Sequence, residues 1–85
     1  MNSIEDNYGI LFLSRIEQNY DNETILSMLK SDKLPFEYII RAFVKVCKSN
    51  DIKYANLIMK MFPNNFLFQV NDRKCITRFH IIDEV

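Results

Sequence analysis

His80 is the one histidine of the chain. A general base needs a nucleophile to activate and a carboxylate to hold it in place. Cys47 or Cys75, together with Asp83, are its nominal partners, and nothing in their spacing brings them together. Cys47 falls on the apolar side of a helical pattern, where a reduced thiol behaves as a small hydrophobe. Cys75 opens a β-prone run. The two thiols lie 28 residues apart, with no Cys-x-x-Cys and no Cys–His pairing at ligand spacing. They make neither a disulfide framework nor the four close ligands of a structural zinc site. The expectation is a protein with no catalytic residues, no metal ligands and no cofactor-binding residues, and so no enzyme.

Cations offer the second chemistry. Arg41, Lys45 and Lys48 are spaced i, i+4, i+7 and form a basic stripe on one helix face. Such a stripe can touch phosphates. The bland reading is a solvated outer face, favoured here because the net charge is zero and no aromatic stacking platform accompanies it. Arg73, Lys74 and Arg78 carry positive charge on into the C-terminal segment, where basic residues on a strand edge also discourage aggregation. Nucleic-acid association is therefore the alternative reading, not the leading one.

The elements that position these groups follow from periodicity. Ser3 with Asp6 resembles a capping box, which starts a first helix near Ile4 and runs it to about Asn19. Tyr8, Leu11, Phe12 and Ile16 form its stripe, widened by Ile10 and Leu13, so it should be buried on more than one face. Gly9 marks either a close approach by a neighbour or a later start. Asp21 or Asn22 caps a second helix, Glu23 to Lys30, burying Ile25, Leu26, Met28 and Leu29. Pro35 sits at the first position of a third helix, where its missing N–H costs nothing. Phe36, Ile40, Phe43 and Cys47 give that helix an apolar stripe, flanked by Ile39 and Val46. Asn50 suits a left-handed cap and Asp51 caps a fourth helix, Ile52 to Phe62, closed by Pro63. Phe66 to Val70 and Cys75 to Ile82, separated by Asn71-Asp72-Arg73-Lys74, read as strand, turn, strand. The rival is a fifth helix capped by Asp72, because Ile76, Phe79 and Ile82 also fall at helical spacing. The fold class expected is α+β, mainly α: about four short helices as two helix-turn-helix units, then a C-terminal β-hairpin, with an all-α chain as the alternative.

Length bounds the core. The 85 residues suit one small domain, divided here into helical pairs at 1–33 and 34–63 and a hairpin at 64–85. Yet 48% of the residues are apolar, with seven Phe and four Tyr and a single Gly. A surplus of this kind either makes a dense core or closes against another chain. Charge is balanced at 11 basic and 11 acidic, but residues 1–37 carry a net of −4 and residues 38–85 a net of +4. Opposite-signed halves attract, within the fold or between copies. The short apolar run Tyr8 to Leu13 follows Glu5 and Asp6, without the flank of a signal peptide or the length of a membrane span. An intracellular, reducing location is expected, with no membrane partner and no small-molecule substrate.

Shifting the chain by 30 residues lays Tyr8 on Tyr38, Ile10 on Ile40, Leu13 on Phe43, Ile16 on Val46, Asp21 on Asp51 and Lys30 on Lys60. This suggests two successive helix-turn-helix units. The order Ala42-Phe43, Cys47, Ser49-Asn50-Asp51, Ala55, Phe62-Pro63 resembles the ankyrin-like helical repeats of uncharacterised proteins from amoeba-infecting giant DNA viruses. The hairpin-like tail resembles a segment that accompanies such proteins, so the resemblance covers roughly residues 36–82. Asp51 stands where glycine or histidine is common, and Thr-Pro-Leu-His is absent. The resemblance implies a viral protein of the host cytoplasm, a helix-pair architecture and protein–protein interaction.

Helical pairs of this kind stack on neighbours or bind something, because their apolar faces need covering. Met59, Met61 and Phe62, with Leu57 and Ile58, crowd the end of the fourth helix and cannot all face one partner. The candidate interaction surface is accordingly Ile10, Leu13, Leu57, Met59, Met61 and Phe62, and the candidate basic patch Arg41, Lys45 and Lys48. The function expected is a non-catalytic interaction or assembly module whose partner is protein, foremost a second copy of itself.

Overall fold

In the computed structural model, residues 4–71 and 75–82 are described. Four helices come first: α1 (Ile4–Glu17), α2 (Asn22–Leu29), α3 (Phe36–Lys48) and α4 (Ile52–Met61). They are followed by an antiparallel pair, β1 (Phe66–Asn71) and β2 (Cys75–Ile81). The protein is thus α+β and mainly α, and Cys75–Ile81 is a strand, not a fifth helix. The chain groups into two compact units, Met1–Ala42 and Phe43–Val85, with the boundary inside α3.

In the first unit the buried side chains include Phe12, Ile16, Ile25, Met28, Leu29 and Leu34, with Tyr38, Ile39 and Ala42 from the start of α3. Gly9 is buried too, and a Cβ placed on it would overlap the Tyr38 ring. The glycine is therefore a close approach of α1 to Tyr38, and the helix does start before it. In the second unit Phe43, Val46 and Cys47 of α3 are buried with Tyr54, Ala55 and Ile58 of α4 and Phe66 of β1. The Phe43 ring is central: its centroid lies 4.7 Å from that of Phe66, 6.4 Å from Phe68 and 6.0 Å from Phe79.

Two details correct the apolar stripes read from spacing. In α3, Phe36 and Ile40 are only half-buried, while Tyr38, Ile39, Ala42, Phe43, Val46 and Cys47 are buried. The inward line is rotated by about one residue because Tyr38 and Ala42 also face in, and a three-four pattern of Phe and Ile alone could not show this. In α1 the expectation of burial on more than one face fails: Ile10 is 58% exposed and Leu11 41%.

The α1–α2 and α3–α4 corners use the same device. Asn19 (φ 61°) and Asn50 (φ 58°) are left-handed. Asn19 N–H donates to Ile16 O and Tyr20 N–H to Arg15 O. Asn50 N–H donates to Cys47 O and Asp51 N–H to Val46 O. These paired 5→2 and 6→1 bonds are Schellman caps, which satisfy the last carbonyls of each helix. Asparagine tolerates the conformation because its short polar side chain bonds locally. An aspartate then opens the next helix. The Asp51 carboxylate accepts from Tyr54 N–H at 3.4 Å, whereas Asp21 caps no backbone group and accepts the Thr24 hydroxyl at 2.7 Å. The Ser3 half of the capping box drawn for α1 lies outside the described residues.

The hairpin pairs Phe66 with Ile81, Leu67 with His80, Phe68 with Phe79 and Gln69 with Arg78. The register then shifts, so that Val70 meets Ile76 and Asn71 meets Cys75. Thr77 is the extra residue of this bulge. Asn65 closes the open end: Ile82 N–H donates to its carbonyl at 2.8 Å, and its amide Nδ2 donates to Ile82 O at 3.2 Å.

Candidate interaction surface

Strand alternation sorts the hairpin into two faces. Phe66, Phe68 and Phe79 point towards Phe43, so Leu67, Gln69, Arg78 and His80 fall on the other side. Leu67 is 48% exposed, and Ile82, two residues beyond His80 on the same face, is 43% exposed. Leu67, Gln69, Arg78 and His80, with the edge of Phe68, line a shallow hollow of about 200 Å³. Leu67 and Ile82 are diagonal neighbours across the strands, near enough to form one apolar patch. Val70 is exposed as well, at the bulged end of β1. The tail FLFQV carried the signal for this patch, since strict alternation puts Leu67 opposite the phenylalanines.

In the first unit, a wider cleft of about 480 Å³ opens between α1 and α2, lined by Tyr8, Leu11 and Arg15 and by Asp21, Glu23, Thr24, Ser27 and Met28. Tyr8, Leu11 and Met28 give it apolar ground. Asp21 and Glu23 are exposed at the start of α2. The Thr24 hydroxyl donated to Asp21 holds that carboxyl below its ordinary range, so it stays ionised. The Arg15 guanidinium lies over the Tyr20 ring, 4.5 Å from its centroid.

The expected surface residues are divided between the two units. Ile10 is the exposed member, on α1. Leu13 is half-buried on the same helix, and Leu57, Met59, Met61 and Phe62 are all half-buried at α4. The Phe62 ring is partly spent inward, edge-on to Phe66 at 6.2 Å. Leu11, assigned from spacing to the buried stripe, is the exposed residue that was missed.

The basic stripe lies along α3, with Arg41, Lys45 and Lys48 exposed. Arg41 is not a bare cation: its Nη2 donates to Glu37 Oε2 at 3.3 Å, and its guanidinium lies 5.1 Å from the Tyr38 ring centroid. At an exposed site this i, i+4 pair adds about 0.3–0.5 kcal/mol and lowers the positive field that the stripe presents. Of the chemistry-bearing residues, Cys47 is buried, and that burial pushes its thiol up to about 11. His80 is exposed on the outer hairpin face. Among the described residues no three His, Cys, Asp or Glu side chains are placed to hold a metal ion, and no helix is long and apolar enough to cross a membrane.

No protein-family model matches the chain, and no curated protein or solved structure is detectably similar to it.

Proposed function

We propose that this protein is a non-catalytic interaction or assembly module that associates with a second copy of itself as a homodimer. The observation that carries the reading is where the apolar surplus ends up. Ile10 and Leu11 are consecutive on α1, and Leu67 and Ile82 share the outer hairpin face, all more than 40% exposed. A single exposed leucine is ordinary on any protein surface. Two paired patches on an 85-residue chain whose net charge is zero are a reason to associate. The helix-pair organisation, with its two Schellman-capped corners, supports the same reading, since such units commonly present surfaces to partners.

Light scattering coupled to gel filtration tests it. The expected species has about twice the 10.2 kDa chain mass at high micromolar concentration. Ile10→Asp should shift it towards the monomer without changing the far-UV circular dichroism. A strictly monomeric parent would remove the proposal. The nucleic-acid reading is separated by titrating duplex DNA and single-stranded RNA at two salt concentrations. Phosphate-driven binding must weaken steeply with salt, and no such binding is expected, because the net charge of the chain is zero.

A further inference from the structure

The zero net charge conceals an asymmetry that follows the two compact units. Residues 1–42 hold seven acidic and four basic side chains, and residues 43–85 hold four acidic and seven basic. The first unit is −3 and the second +3. In the first, Asp21 and Glu23 stand at the rim of the α1–α2 cleft, beside Tyr8, Leu11 and Met28. The cleft's own cation, Arg15, is stacked on Tyr20. In the second, Leu67 and Ile82 are exposed on the hairpin face that also presents Arg78. Each surface thus has exposed apolar area with charge beside it, and the two charges are opposite.

We propose that these are the two sides of one contact, in which the α1–α2 cleft of one copy receives the outer hairpin face of a second copy. The inference rests on the self-association proposed above and specifies its geometry. Leu67 and Ile82 of the second copy would cover Leu11, and its Arg78 would come opposite Asp21 and Glu23. The occupant is a second copy because the chain itself carries the complementary charge and the complementary apolar patch. Complementary charge of this kind fixes register and speeds encounter, while the apolar pair supplies the burial. Two such contacts related by a two-fold axis close into a dimer. Repetition without closure gives a species that grows with concentration.

Sedimentation velocity of the full chain tests the contact, at low salt and at about 0.5 M NaCl, where the Debye length falls to about 4 Å. Association should weaken at the higher salt. Glu23→Lys and Arg78→Glu should each weaken it about tenfold or more, because each sets like charges against one another. Mixing the two variants should restore it, since the lysine introduced in one then meets the glutamate introduced in the other, while the native pair meets at the second contact. Both positions are exposed, so circular dichroism should be unchanged. The neutral variant Arg78→Gln should remove most of the salt dependence, and Glu23→Gln part of it, since Asp21 still faces Arg78. If the parent dimerises but neither reversal weakens it, or the mixture fails to recover, this contact is wrong and self-association proceeds through another face. If the parent stays monomeric while its melting temperature falls with salt, the opposite charges attract within one chain, and both proposals fall.

Discussion

The Tyr38 ring occupies the space where any side chain larger than hydrogen on Gly9 would sit. A Cβ built on that glycine would lie 2.6 Å from Tyr38 Cε2 and nearer still to Cγ and Cδ2. Glycine inside an exposed helix is a weakness, and replacing it with alanine ordinarily gains about 0.5–1 kcal/mol. Here the sign should reverse. Gly9→Ala must displace a ring that is 7% exposed and packed inside the first unit, and overpacking of this kind costs about 1–3 kcal/mol. Urea denaturation should show a lowered midpoint with an unchanged slope. Tyr38→Ala, which removes Cγ and Cδ2, should cost less in the Gly9→Ala chain than in the parent, and a stabilised Gly9→Ala would show that the approach is looser than drawn.

That contact marks the edge of what the sequence could show. A lone glycine in a helical pattern signalled either a neighbour or a late start, and only the position of Tyr38 chose between them. Asn50-Asp51 was legible as a corner because left-handed tolerance and capping are local properties of those side chains. Asn19 is the same device one unit earlier, less visible because Tyr20 separates it from the capping Asp21, whereas Asn50 and Asp51 are adjacent. The hairpin was legible from β-branched and aromatic residues on either side of the polar Asn71–Lys74 break, although Ile76, Phe79 and Ile82 also fit a helix. Ile10 was legible as a candidate for an outer contact, but the exposure of Leu11 was not. Periodicity says which residues share a face, but the number of faces that are covered depends on neighbours distant in sequence.

Phe43 should carry more of the second unit's stability than any surface residue on its own helix. Its ring meets Phe66, Phe68 and Phe79, and it is fully buried. Phe43→Ala removes that packing and leaves a cavity, a change that costs about 3–5 kcal/mol. Lys45→Ala, two residues on and exposed, should move stability by less than about 0.5 kcal/mol. Denaturant titrations of the two variants, compared with the parent, check both values. Similar losses would mean that α3 faces the other way.

Asn50 tests the corner between α3 and α4. Its φ of 58° is strained for most side chains but open to glycine and asparagine. Asn50→Gly should therefore stay within about 0.5 kcal/mol of the parent, whereas Asn50→Val should cost about 1–2 kcal/mol or more. Ser49→Val, next to it and without a left-handed backbone, should cost less than Asn50→Val. Thermal melts of the three variants give the ranking. Equal losses at 49 and 50 would mean that the Schellman cap is not what holds the turn.

Cys47 gives a pH-dependent readout of the second unit. Burial raises its thiol from an ordinary 9.0 to about 11, because a thiolate would lose its water there. Between these two values the folded chain keeps a proton that the unfolded chain releases. The contribution to stability is therefore whole below about pH 9 and lost as pH rises towards 11. Reactivity follows the same logic. At pH 8 a thiol with a pKa of about 11 is roughly one part in a thousand thiolate, against roughly one in eleven for an ordinary one. In a Cys75→Ser background, an aromatic disulfide reagent should label native protein at least about a hundredfold more slowly than protein in urea. Above pH 9 the parent should lose stability faster than Cys47→Ala, which has no thiol to ionise. Native labelling as fast as in urea would mean that α3 opens at Cys47 often enough to expose it, and that the packing around Phe43 is weaker than its ring contacts indicate.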